Sequence, residues 1–299
     1  MAFKVPIEGK GSVSLASDGL VTKHVLMVEP SPTMGKGFTT VGELGMPDAD
    51  LAKVQHDTYV QSLRQQGVKV DVFPATNEPD QHFVEDMASV FRTSSGEMVV
   101  VVAKPATQER SKETGYVVEI LESYFPKSSF IHLPQGGATL EFGDVVRFGG
   151  NVLVGQSQRT NSAGAAALQG VLATINPEYA VQAIPVQGGL HADTCMSPLD
   201  GITLLHDPAM PLPKDFRFVV VTLPESENYA ASVLAINQST VIMPTDMNHM
   251  IHEYPFTAAV LGKYFEQVIK TPMSEFHKMD GSLRCLKLAI HWDDLPLRE

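Results

Sequence analysis

The 299-residue chain holds only two cysteines, Cys195 and Cys285. That excludes a disulfide framework and a four-thiolate zinc site, and makes a reducing cytoplasm the expected home. No stretch of roughly 18 uncharged apolar residues occurs, and the opening MAFKVPIEGKGSVSLASDG has no apolar run after its positive charge, so neither a membrane span nor a signal peptide is expected. Positive charge is scarce: 22 Lys and Arg against 34 Asp and Glu leave a formal charge of −12. Nucleic acid or an anionic membrane would call for a basic patch, so neither is an expected partner. An acidic balance suits a cationic small molecule, and solubility explains it equally well. Low-complexity linkers, composition shifts and repeats visible as sequence identity are also missing. We read one domain over 1–299, with residues 1–23 as an N-terminal extension.

Short runs rich in β-branched residues recur from end to end. HVLMVE at 24, VKVDVF at 68, MVVVVA at 98, NVLVG at 151, GITLLH at 201, FRFVVVTL at 216, STVIMP at 239 and CLKLAI at 285 predict strands, several buried on both faces. Helical spacing links Val117, Ile120, Leu121 and Tyr124, then Leu168, Val171, Leu172 and Ile175, then Leu261, Tyr264, Phe265 and Val268, the last group with Pro255 placed for a first turn. An earlier helix is expected from Asp48 or Asp50 to Gln66, stopped by Gly67. Strands alternating with helices define an α/β protein.

The segment GGLHADTCMSPLDG sets His191, Asp193 and Cys195 on alternate residues. If extended, it aligns the three on one face of a strand. As a metal site it lacks the paired spacing that zinc requires, and metal, catalytic and structural readings stay open on spacing alone. The glycine-rich GGATLEFG and FGGNVLVG match neither phosphate-binding fingerprint and read as turns. Cys285 follows the turn signal Asp280-Gly281 and opens an apolar strand, at an edge where a loop meets a sheet. Asp80, Glu85 and Asp86 in PDQHFVED, and Glu141 and Asp144 in TLEFGDVV, interrupt apolar strand sequence. Carboxylates there are costly unless paired or solvated, which makes them site candidates beside their alternative use in turns and caps.

Read together, FVED (83–86), ATLEFGDVV (138–146), VGQSQRTNSAG (154–164), GLHADT (189–194), ESENYAAS (225–232) and KMDGSLRCLKL (278–288) resemble the ordered motifs of dimethylarginine dimethylaminohydrolases. These are guanidino-modifying enzymes of the pentein superfamily, alongside arginine deiminases and amidinotransferases. The resemblance implies a five-bladed α/β propeller with pseudo-fivefold symmetry around one site. It implies Cys285 as nucleophile, His191 as general acid and base, and Glu141 as the carboxylate acting with it. Asp86, with Glu85 beside it, would contact the guanidinium, Asp80 the α-amino group, and Arg110 and Arg159 the α-carboxylate. The backbone of Phe38 and Met279 would hold the rest of the amino acid.

The implied reaction is hydrolysis of an Nω-methylated arginine to citrulline and a methylamine through a covalent Cys285 thiouronium, with no metal and no organic cofactor. The expected partner is a small arginine derivative, and a homodimer is admitted as the assembly. The chemistry suits the groups: a guanidinium is a planar cation that pairs bidentately with carboxylates, and its charge beside Cys285 favours the thiolate. Two positions depart from the family pattern. Phe142 stands where a small residue is usual and would reshape the pocket wall. Asp193 stands where these hydrolases tend to carry lysine, whereas His-x-Asp-Thr is typical of arginine deiminases and amidinotransferases; a second carboxylate there would favour free N–H donors over methylated nitrogen. An arginine deiminase is therefore the alternative within this chemistry, followed by an amidinotransferase. An idle arginine-binding protein on the same fold is the alternative outside it.

Overall fold

A computed structural model describes residues 21–134, 136–148, 150–214, 216, 218–245 and 254–293. Its strands fall into five three-stranded sheets, each with a central strand paired antiparallel on one side and parallel on the other. One sheet joins β1 (Val21–Val28) and β2 (Lys69–Phe73) to the far end of the chain, β15 (Leu288–Asp293). The next two are β3 (Ala88–Arg92), β4 (Met98–Val102) and β5 (Phe130–His132), then β6 (Val145–Phe148), β7 (Asn151–Gln156) and β8 (Ala180–Pro185). The last two are β9 (Met196–Pro198), β10 (Thr203–His206) and β11 (Val219–Thr222), then β12 (Leu234–Ala235), β13 (Thr240–Thr245) and β14 (Gln267–Pro272).

Four parallel pairs are bridged by helices: α1 (Ala49–Gln65), α2 (Gln108–Leu121), α3 (Ser162–Ile175) and α5 (Pro255–Tyr264). Two shorter turns of helix, α4 (Ala192–Cys195) and α6 (Ser274–His277), lie between sheets. No described helix is long and apolar enough to cross a membrane.

Local chemistry explains the helix ends. Asp48 caps α1 by accepting from Asp50 N at 2.9 Å and Leu51 N at 3.0 Å, and Gly67 takes the positive φ of 79° that stops it. Asn161 caps α3 through Gly164 N at 2.8 Å, and Leu168 and Leu172 bury its apolar stripe. α5 begins at Pro255 but ends at Tyr264, so Val268 belongs to β14 instead of extending the helical stripe. Val21–Lys23 lie in β1, so the expected extension is shorter at its C-terminal end; residues 1–20 lie outside the described residues.

Two histidines sit within this core. His56 on α1 and His82 are fully buried, and none of their ring nitrogens has a hydrogen-bond partner. Burial lowers them to about 4 and about 3 respectively. Above the ordinary histidine value of about 6.5 both folded and unfolded states hold them neutral, with no pH effect. As pH falls below it, the unfolded chain takes up protons that the folded one refuses, so stability drops by about 1.4 kcal/mol per pH unit for each histidine. His82 packs between Phe83 and Phe276, at ring separations of 4.3 and 5.5 Å. His82→Phe should therefore flatten the acid slope of stability by about one proton's worth. Urea unfolding at pH 6.5, 5.5 and 4.5 measures this, and parallel slopes in the two proteins would refute it.

Candidate active site

Site residues come from the junctions between elements. Asp80 lies in the loop after β2, Asp86 in the 3-10 turn Val84–Met87, Glu141 just before the 3-10 turn Phe142–Asp144, and Arg159 after β7. His191 precedes α4, Met279 follows α6, and Cys285 sits in the turn before β15. Cys285 thus precedes the strand it was expected to open, which begins at Leu288.

α2 contributes Arg110 because its buried stripe, Thr114, Val117, Ile120 and Leu121, continues N-terminally through Arg110 and Glu113. Charges on a buried helix face persist only when paired. These are: Arg110 bonds the Glu113 carboxylate and donates to Asp86 Oδ2 at 2.5 Å and to the Asp80 carbonyl at 3.0 Å. Glu113 also accepts from Asp80 N at 3.2 Å. Burial raises its carboxyl to about 7, against the opposing pull of Arg110. The helical spacing 110, 113, 114, 117 carries Glu113 onto the buried face.

Phe38, Asp80, Asp86, Arg110, Glu141, Arg159, His191, Met279 and Cys285 line one cavity. His191 Nε2 lies 3.1 Å from Glu141 Oε2, and Nδ1 lies 3.7 Å from Asp86 Oδ1. Burial opposes charge on this ring, but Asp86, the hydrogen bond to Glu141 and Asp144 outweigh it and raise His191 to about 10. The imidazolium is therefore the resting form, a proton donor in waiting. Behind it, Asp144 accepts from Ala192 N at 3.1 Å and from Ser157 Oγ at 2.6 Å, and so fixes the turn that carries the ring.

Gly143 packs directly against the His191 ring and Asp86. A Cβ there would come within 2.8 Å of the His191 ring and collide with Asp86 Oδ1. Phe142, expected to shape the pocket wall, turns away and packs in the core, its ring 6.2 Å from Phe91. Its side chain is apolar, and the core is where it removes most surface from water.

Arg159 stands 3.6 Å from Glu141 Oε1 with its guanidinium 4.8 Å above the Phe38 ring. The loop carrying Phe38 is tied down by Thr40, whose N and Oγ1 each donate to Asp280 at 2.5 Å. Asp80 lies under Phe38 N, and burial raises its carboxyl.

Glu85, Asp193 and Cys195 lie outside that cavity. Glu85, adjacent to Asp86, faces the other way: it accepts from Lys287 Nζ at 3.1 Å and lines a separate cavity with Arg284. The HADTC segment is not a strand but runs into α4, so its side chains do not share a face. Cys195 packs in the core, where burial pushes its thiol up to about 12. Asp193 is fully buried and lies behind Cys285, whose Sγ donates to Asp193 Oδ2 at 3.4 Å. Burial raises Asp193 to about 7, with Glu85 adding to the effect. Burial, then Asp193 and Asp86, raise the Cys285 thiol well above its ordinary value, which favours the protonated thiol.

Among the described residues, Asp86, Glu141 and His191 bring ligand atoms within 4.8 Å of one another, a spacing a metal could use. The guanidinium groups of Arg110 and Arg159 already stand against those two carboxylates.

Chemically, the cavity gathers a thiol, an imidazolium, carboxylates and two arginines, a set fitted to a ligand with a cationic planar head and an amino-acid tail. Residues 48–291 match the profile of a family described as N,N dimethylarginine dimethylhydrolase, eukaryotic. The chain is 30% identical over 272 residues to the N(G),N(G)-dimethylarginine dimethylaminohydrolase of Streptomyces coelicolor, covering 90% of this chain and 97% of that one. It is 29% identical to the enzyme of that name from Pseudomonas aeruginosa, over 90% and 99% of the two chains. A crystal structure of a cysteine-to-serine mutant of the Pseudomonas aeruginosa enzyme, complexed with citrulline, superposes with a TM-score of 0.78 at 28% identity, over 90% of this chain and 99% of that one. The N-terminal domain of a cyanobacterial arginine dihydrolase shares the fold, with a TM-score of 0.69 at 21% identity, over 89% and 97% of the two chains.

Proposed function

The chain belongs to the dimethylarginine dimethylaminohydrolase family, hydrolases of C–N bonds in linear amidines, and from that premise we propose that it converts asymmetric dimethylarginine or monomethylarginine to citrulline and a methylated amine. The observation that carries this reading is the single cavity lined by Cys285, His191, Glu141, Asp86, Asp80, Arg110 and Arg159. We read the five three-stranded sheets as five propeller blades of one domain around that cavity. The two free thiols suit a reducing cytoplasm.

In this mechanism the substrate guanidinium pairs with Asp86 and Glu141, while Asp80 takes the α-amino group and the arginines take the carboxylate. The arriving cation favours the thiolate, and the thiol proton passes to Asp193, its acceptor at 3.4 Å. Sγ attacks the central carbon. His191, the resting imidazolium, protonates the departing amine as the C–N bond breaks. The neutral imidazole then takes a proton from water, hydroxide adds to the thiouronium carbon, and the C–S bond breaks as the adduct's hydroxyl gives its proton to the released amine; citrulline leaves, and Asp193 returns the thiol proton to Sγ. Glu85 holds Lys287 and has no contact with substrate in this scheme.

A second reading, arginine deiminase, rests on Asp193, a carboxylate touching the nucleophile where the family tends to have lysine. Assay of citrulline from asymmetric dimethylarginine, monomethylarginine and arginine decides between them. We expect kcat/KM for the methylated substrates to exceed that for arginine by at least about tenfold, the scale of a single-group discrimination. Turnover of arginine alone would replace the first reading with the second.

A further inference from the structure

Arg110 was expected at the carboxylate end of a ligand, yet its guanidinium lies where the proposed reaction puts the substrate's own. It is 4% exposed, donates to Asp86 Oδ2 at 2.5 Å, and brings Nε within 3.9 Å of Glu141 Oε2. Those are the two carboxylates that the proposed function gives to the reacting guanidinium. The cavity left beside it holds about 20 Å³, room for one or two waters at roughly 10–15 Å³ each on the same measure. While Arg110 holds Asp86 Oδ2, a second guanidinium finds only Oδ1, which has no hydrogen-bond partner, and cannot pair with the carboxylate bidentately.

Resting on that functional reading, we propose that Arg110 is a plug on the guanidinium pocket that a substrate carboxylate draws away, so that the pocket opens only to guanidines carrying an acid. Taking Arg110 off Asp86 leaves Nη2 of a buried cation without its carboxylate, with Glu113 the one carboxylate still bonded to it, unless a new anion meets it. An α-carboxylate does so in the forked geometry an arginine prefers. Glu113 keeps the pivot in place, bonding Arg110 on one side and the backbone N–H of Asp80 on the other. The two ends of the substrate are thus coupled: binding of the tail vacates the seat of the head. A guanidine without a carboxylate competes against Arg110 and offers it nothing. Specificity for an amino acid then comes from displacement as well as from contact.

The test uses methylguanidine, which has the head and lacks the tail. Arg110→Met should bind it at least tenfold more tightly than wild type by calorimetry, while N-methylarginine binds at least tenfold more weakly. A residue that merely clamps the carboxylate would leave methylguanidine affinity unchanged, and that result overturns the plug. If Arg110→Met does not fold, wild type decides the matter: saturating acetate should engage Arg110 and tighten methylguanidine binding severalfold, by reciprocal linkage. No change with acetate overturns the proposal. Citrulline formation without the acetate effect removes the plug and leaves the hydrolase reading standing. An acetate effect without citrulline from any arginine removes the hydrolase reading instead.

Discussion

Cys285→Ser should lower turnover of dimethylarginine by at least about 10⁴-fold, the scale set by removing a nucleophile that acts in concert with other groups, while ligand affinity stays within a few-fold. Serine is close in volume, and Cys285 is 3% exposed in a packed turn, so the fold should tolerate the exchange. The hydroxyl can still donate to Asp193 as Sγ does at 3.4 Å. What it loses is ionisation and leaving ability. The site already raises the thiol above its ordinary value through burial, Asp193 and Asp86, and the far less acidic alcohol would be held neutral. A guanidinium is a poor electrophile, so a neutral oxygen nucleophile cannot substitute. Acid quenching should trap an adduct on the peptide holding Cys285 in wild type and none in the variant. Residual activity of a few per cent would place the nucleophile elsewhere.

Strands that were legible are those whose burial is written continuously in their residues. Met98–Val102 is sulfur and β-branched throughout, and Val100 and Val101 are fully buried. Met196–Pro198 and Leu234–Ala235 are too short to carry any pattern and exist because a neighbouring strand offers them hydrogen bonds. In the site, residues from several of the motifs line one cavity, but the motifs do not give their orientation. Asp86 and Glu85 differ only by a step in a turn, and one faces the cavity while the other faces Lys287. Phe142 and Gly143 divide in the same way, the large apolar ring to the core and the glycine to the histidine. Arg110 is the strongest case: its identity was readable, but its pairing with Asp86 and Glu113 depends on which buried carboxylates the fold brings beside it.

Asp193→Asn should change reactivity and turnover in opposite directions. Asp193 sits against the thiol at 3.4 Å in a fully buried position. At pH 8 its carboxyl, raised to about 7, is largely ionised, and a charge so close opposes a thiolate. Removing it should lower the thiol, since one charge at this distance is worth a few kcal/mol at an effective dielectric of about 20. Thiolate then rises about 100-fold, and a nucleophilicity loss of about tenfold leaves alkylation by iodoacetamide about tenfold faster. Turnover should nonetheless fall by about 10²-fold or more, because the asparagine amide cannot accept the thiol proton when substrate arrives. The pH profile separates this from simple misfolding: in the variant, the alkylation curve moves to lower pH and its high-pH plateau falls by about tenfold, the nucleophilicity loss alone. Slower alkylation would mean that Asp193 already draws the proton from Cys285 in the ligand-free enzyme. In that case substrate charge is not what ionises the nucleophile.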